Sequence, residues 1–96
     1  MDFRVGQIVR SRAGRDKGEW FCIVRVEDGF LYLADGKRRR LAAPKRKRSS
    51  HAELLGECDP SVQDRLRRNE TVGNRELRRA LAAFREGGNH AWQKTI

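Results

Sequence analysis

Six of the seven residues from Trp20 to Val26 (W-F-C-I-V-R-V) are apolar, and no other stretch restricts the fold as much. Aromatic and β-branched side chains at this density form a strand, over about residues 19–26. A strand with one wet face alternates apolar and polar residues. This one does not, so both of its faces must be covered. The rest of a small barrel can cover one side, and the C-terminal helices are the candidates for the other. With 96 residues there is room for one domain, and about a third of the unfolded-state surface stays exposed after folding.

Turn signals divide the flanking chain regularly. Residues 7–12 (Q-I-V-R-S-R) read as a strand ahead of the apolar one, with Phe3 and Val5 able to plug an end of the barrel. Asp28-Gly29 makes a hairpin into a third strand, Phe30 to Ala34, and Asp35-Gly36 makes a second turn into a fourth, Lys37 to Leu41. Ala52 to Leu55 is either a closing fifth strand or the start of a linker. Asp59 at an N-cap and Pro60 at the first helical position start a helix running to about Arg68, with Val62 and Leu66 on one face. After a turn at 69–73, Asn74 caps a helix over 75–86 that Gly87-Gly88 ends. Its stripe of Leu77, Ala80, Leu81 and Phe84 should lie against the outer face of the apolar strand. The expected fold is therefore α+β: a five-stranded β-barrel over 1–57, two helices packed on it within 58–88, and a flexible tail over 89–96 in which Trp92 is a possible docking residue.

Between the first two strands lies Ala13-Gly14-Arg15-Asp16-Lys17-Gly18. Two glycines four apart allow positive φ and present cations at a tight tip. Asp16 is expected to accept loop amides rather than to orient Arg15 or Lys17. From Lys37 to Arg48 the chain carries eight cations in twelve residues (K-R-R-R-L-A-A-P-K-R-K-R). Repulsion within such a cluster opposes folding, and a polyanion would relieve it. Residues 1–48 hold 14 basic and 6 acidic side chains, a net of +8, whereas residues 49–96 hold 8 and 7, a net of +1. That asymmetry points to a polyanion-binding face. Its expected phosphate contacts are Arg12, Arg15 and Lys17 around the loop, Lys37, Arg38, Arg39 and Arg40 on the fourth strand, and Lys45, Arg46, Lys47 and Arg48 after it. Phe30 and Tyr32 share a face; packing against core or helix is favoured there over stacking on unpaired bases. Arg75, Arg78, Arg79 and Arg85 lie largely off the apolar stripe, where they either extend the basic surface or stay solvated.

No catalytic constellation is present: no phosphate-cradling G-x-x-x-x-G-K, no G-x-S-x-G, no H-E-x-x-H and no recognisable carboxylate pair. His51 stands beside the basic run without a second acid or base. Cys22 and Cys58 are too few and too far apart in sequence for a disulfide scaffold or a zinc ribbon, and neither His51 nor His90 completes a ligand spacing with them. The expectation is a non-enzymatic protein with no cofactor, no metal, no small-molecule substrate and no membrane span. It is expected to be monomeric when free and cytoplasmic, since the start, M-D-F-R-V-G, lacks the apolar stretch of a secretory signal. Pro44 to Arg48 would also pass for a nuclear localisation signal if the source were eukaryotic.

Gly6-Gln7-Ile8-Val9, the G-R-D-K-G loop and the apolar strand after it resemble the KOW motif of ribosomal proteins and NusG-type transcription factors. Through Ala34-Asp35-Gly36-Lys37 and Pro44 to Arg48 the chain is most similar to short bacterial KOW RNA-binding proteins, related to the large-subunit ribosomal family numbered fourteen-e, six-e and twenty-seven-e. The resemblance covers the first half closely and the helical half loosely. It implies an SH3-like barrel and a role in translation, seated on ribosomal RNA or the ribosome. The residues alone leave two alternatives open: a protein-interaction module for an acidic partner such as RNA polymerase, and a basic DNA-binding module.

Overall fold

The computed structural model describes residues 2–87. In chain order its elements are strands β1 (Gln7–Ser11), β2 (Trp20–Glu27), β3 (Phe30–Ala34), β4 (Lys45–Arg48) and β5 (Ala52–Glu57), then helices α1 (Pro60–Arg67) and α2 (Asn74–Glu86). The strands form one antiparallel sheet in the order β4-β3-β2-β1-β5. Asp28-Gly29 is the two-residue turn of the β2–β3 hairpin, whose register pairs Glu27 with Phe30.

The continuous apolar run on β2 is explained by two cores, one on each face of the sheet. Cys22, with Trp20 and Val24 beside it, packs with Ile8, Ala34, Cys58, Val62, Leu77, Ala80 and Phe84 on the helix side. Phe21 and Ile23 pack with Val9, Leu31, Leu33 and Ala52 on the other, where Phe3 joins them and, among the described residues, no helix does. A bulge between Ile23 and Arg25 then breaks the alternation: Val24 is the extra residue, and Arg25 stands opposite Tyr32 instead of Leu31. Cys22 and Cys58, 36 positions apart in sequence, meet as free thiols in the helix-side core. The neighbouring Cys58 thiol and burial together push the Cys22 thiol well above its ordinary pKa.

Residues 52–57 are a strand and not a linker, since they pair with β1 from Gln7↔Glu57 to Ser11↔Ala52. The fourth strand stands elsewhere than expected. Lys37 to Leu41 is not a strand, because its backbone groups are taken by the turn itself and by the side chains of Asp35 and Asn74. The Asp35 carboxylate accepts the amides of Lys37 (2.8 Å) and Arg39 (2.9 Å), and the Arg39 carbonyl accepts from Asp35 and Gly36. Leu41 donates to Asn74 Oδ1 at 2.8 Å. The strand is instead Lys45–Arg48, in register with β3 from Leu33↔Lys45 to Phe30↔Arg48.

Asp59 caps α1 as read, accepting the Val62 amide at 3.2 Å with Pro60 at the first helical position. Asn74 does not cap α2: Gly73 holds the N-cap position, and the Asn74 side chain serves Leu41 instead. The apolar stripe of α2 buries Leu77, Ala80 and Phe84 against β2, with Phe84 edge-on to Trp20 at 5.8 Å. The expected tail, with Trp92 and the second glycine of Gly87-Gly88, lies outside the described residues. Among the described residues no helix is long and apolar enough to cross a membrane.

Candidate nucleic-acid interface

The K-R-K-R sequence of β4 looks uniform in charge, but its period of two divides it. Successive strand residues point to opposite faces. Lys47, opposite Leu31, turns inward and is buried, while Arg46 and Arg48, opposite Tyr32 and Phe30, turn outward. A lysine can occupy an inward position because its flexible stem carries the ammonium to a polar partner. Here Lys47 Nζ reaches the 13–18 loop, donating to the Ala13 carbonyl at 2.9 Å and lying 3.1 Å from Asp16 Oδ1. Lys45 Nζ lies 2.9 Å from Asp16 Oδ2, and Ser11 Oγ donates to Oδ1 at 2.7 Å.

Asp16 is thus a clamp between the loop and β4 and makes no pair with Arg15 or Lys17; nor do loop amides satisfy its carboxylate. Its burial alone would raise the carboxyl pKa. The Lys45 ammonium, the Ser11 hydroxyl and Lys47 outweigh that and lower it from 3.8 to about 2. The loop itself closes as its glycines allow, with φ of 86° at Gly14 and 90° at Gly18 and the Gly18 amide donating to the Ser11 carbonyl at 2.8 Å. Of the two lysines predicted as phosphate ligands on β4, Lys47 is therefore withdrawn into the fold. Lys45 is three-quarters covered and already faces a carboxylate.

The outward arginines lie on aromatic rings. Arg46 sits 3.7 Å and Arg48 5.2 Å from the centroid of Phe30, and Arg25, re-aimed by the bulge, sits 4.9 Å from that of Tyr32. Tyr32 donates its hydroxyl to Glu27 Oε1 at 2.9 Å, which with Arg25 holds the Glu27 carboxyl below its usual range. Phe30 and Tyr32 therefore belong to neither core. They are half-buried on the outer face of β3, and the guanidinium groups are what cover them.

The 35–40 turn holds Lys37, Arg38, Arg39 and Arg40 exposed, and α2 is tied to it by Arg78, which donates to the Gly36 carbonyl at 2.6 Å. A shallow concavity of about 290 Å³ brings Arg15 from the loop together with Arg38, Arg39 and Lys45. A second cleft of about 390 Å³ shares Glu19, Asp35 and Arg38 with it and continues to Lys37, Trp20, Arg78 and Arg85. Arg85 lies 4.5 Å from the Trp20 ring. Arg12, Lys17 and Arg40 are exposed but line neither concavity. Sequence reasoning left Arg78 and Arg85 undecided and passed over Trp20 and Glu19. The spacing of Arg78, Leu81, Ala82 and Arg85, at i, i+3, i+4 and i+7, was the signal that they share a helix face.

Ion pairing sorts the cations. Arg10, Arg65, Arg67 and Arg68 are matched to Glu53, Glu76, Glu57 and Asp64, and Arg25 to Glu27. Of the eleven predicted contacts, by contrast, only Lys45 and Lys47 form an ion pair among the described residues; of the other nine, Arg46 acts on the Glu27 carboxylate through space without pairing with it. Intramolecular neutralisation is thus concentrated on α1 and the β1–β5 edge, and the loop, the turn and the outer face of β4 keep most of their charge. A scan against models of known protein families returns no match, and a search of curated proteins returns no significant relative.

Proposed function

We propose that this chain is a non-catalytic RNA-binding protein of the ribosomal KOW class, its sheet an SH3-like barrel. In this reading it grips the phosphate backbone of a structured RNA, of the ribosomal kind. The observation that carries the reading is the set of nine cations that form no ion pair among the described residues, drawn from the loop, the turn and the outward side of β4. Unpaired like charges held on a rigid frame repel one another; a polyanion removes that repulsion and releases its own counterions. Arginine dominates the set, and its planar fork meets phosphate oxygens two at a time. Lys47 and Asp16 hold β4 so that Arg46 and Arg48 face out, and Arg78 holds the turn against α2. Frame and contacts are different residues.

Fluorescence anisotropy with a labelled structured RNA, repeated across salt concentrations, tests this. With about six to eight phosphates neutralised, log affinity falls against log salt with a slope of roughly −0.7 to −0.9 per contact. Arg38→Ala, Arg39→Ala and Arg40→Ala together should weaken binding and make the slope shallower by about 2–3, leaving the urea midpoint in place. Unchanged affinity in the triple variant refutes the site. Tighter binding to duplex DNA of equal length, or to an acidic polypeptide, refutes the choice of RNA.

A further inference from the structure

The cleft between Trp20, the 35–38 turn and α2 has a composition that backbone contact alone does not require. It is about 390 Å³, within the roughly 300–1,000 Å³ of small-ligand sites. One wall is the half-buried indole of Trp20 with Leu81 beside it, and the rim carries Lys37, Arg38 and Arg85. A duplex backbone offers phosphates and sugars, which have no use for an aromatic wall. An unstacked base does, since its π-face stacks on indole. Resting on the RNA-binding reading above, we infer that this cleft takes a single unpaired nucleotide of the bound RNA, with guanine preferred.

Arg85 now covers one face of Trp20. An exposed cation–π contact is weaker than a base–aromatic stack, so the arginine yields the ring and carries its charge to the nucleotide's phosphate. The preference for guanine comes from Glu19. Glu19 lines the cleft, and its side chain has no hydrogen bond or ion pair among the described residues. A carboxylate only accepts, and its two oxygens match the adjacent N1–H and N2–H donors of guanine. Asp35 is less available, because its Oδ1 already takes the amides of Lys37 and Arg39.

The test uses the full chain and three hairpin RNAs of otherwise identical sequence: unbulged, with one bulged G, and with one bulged U. Replacing Trp92 by Phe leaves Trp20 as the only tryptophan, a reporter of the cleft. The bulged-G hairpin should bind about tenfold tighter than the unbulged one, within the worth of one base–aromatic stack, and should change Trp20 emission. Glu19→Gln should reduce the bulged-G affinity to that of bulged U. Ala82→Gln, which fills the cleft from an exposed position of α2 without touching the core, should abolish both bulge effects while the unbulged hairpin binds as before. Salt-sensitive binding of equal strength to all three hairpins overturns this inference and leaves the RNA-binding reading standing. So does an Ala82→Gln variant that keeps the bulge preference. Failure to bind any of the hairpins overturns both.

Discussion

Asp16→Asn removes the charge of the clamp while keeping its shape. In the folded chain the Asp16 side chain is 12% exposed, so solvent and salt screen its contacts with Lys45 and Lys47 little. Its pKa falls from 3.8 to about 2 on folding, a difference of roughly 2.5 kcal/mol between ionised and neutral states. Because the folded value is the lower one, the unfolded chain binds more protons between about pH 4 and pH 2. The stabilisation is therefore complete above the unfolded value and is lost as pH falls through about 2. At neutral pH the Asn variant should lose about 2–4 kcal/mol, since it leaves the buried Lys47 ammonium facing neutral acceptors only, the Ala13 carbonyl and the amide oxygen. Urea unfolding followed by far-ultraviolet circular dichroism measures this. The gap between wild type and variant should narrow as pH drops from about 5 towards 2. Other lowered carboxyls, those of Glu27 and Glu76, are common to both proteins and cancel in the difference. Asp16→Asn combined with Lys47→Met should recover part of the loss, because removing both buried charges is less damaging than removing one. A neutral-pH loss below about 0.5 kcal/mol, or a gap that does not depend on pH, would refute the clamp.

Two further outcomes concern the frame. Gly36 has φ of 78°, and a Cβ there would lie 2.3 Å from the Asn74 carbonyl oxygen, so Gly36→Ala must displace the start of α2 and should cost about 2–5 kcal/mol by urea unfolding. Gly18→Ala shares the positive φ but meets nothing within 4 Å and should cost only about 1–2 kcal/mol; equal losses would show that the turn does not brace the helix. Leu77→Ala, at a fully buried position joining α2 to the sheet, should cost about 2–5 kcal/mol in a single cooperative transition. A separate low-stability phase would instead mean that the helices form a body of their own.

Much of the fold was legible in the chain because it depends on local pattern. Unbroken apolarity from Trp20 to Val24 demanded cover on both faces, and two cores supply it. Asp28-Gly29 and Asp59-Pro60 act through their own backbone geometry, so their readings hold in place. Errors arose where a side chain chose a distant partner. Asn74 is a good cap by composition, yet the Leu41 amide, 33 positions away, claims its oxygen. Lys37 to Leu41 follows the hairpin-type turn signal Asp35-Gly36, yet Asp35 and Asn74 bind its amides before a strand can. At the site, the sequence placed eight cations in one stretch but could not rank them.

What the sequence determined by itself was an excess of positive charge in the first half, a doubly covered strand, and turns and caps whose geometry is internal to a few residues. Only the tertiary structure decided which way each charge points. Strand pairing gave β4 its phase, and that phase sent Lys47 in to Asp16 and Arg46 and Arg48 out onto Phe30. The seating of α2 on β2 decided that Arg78 and Arg85 would meet Trp20 and the 35–38 turn. Charge is a property of composition. Its direction follows from register and packing, which are fixed by residues far apart along the chain.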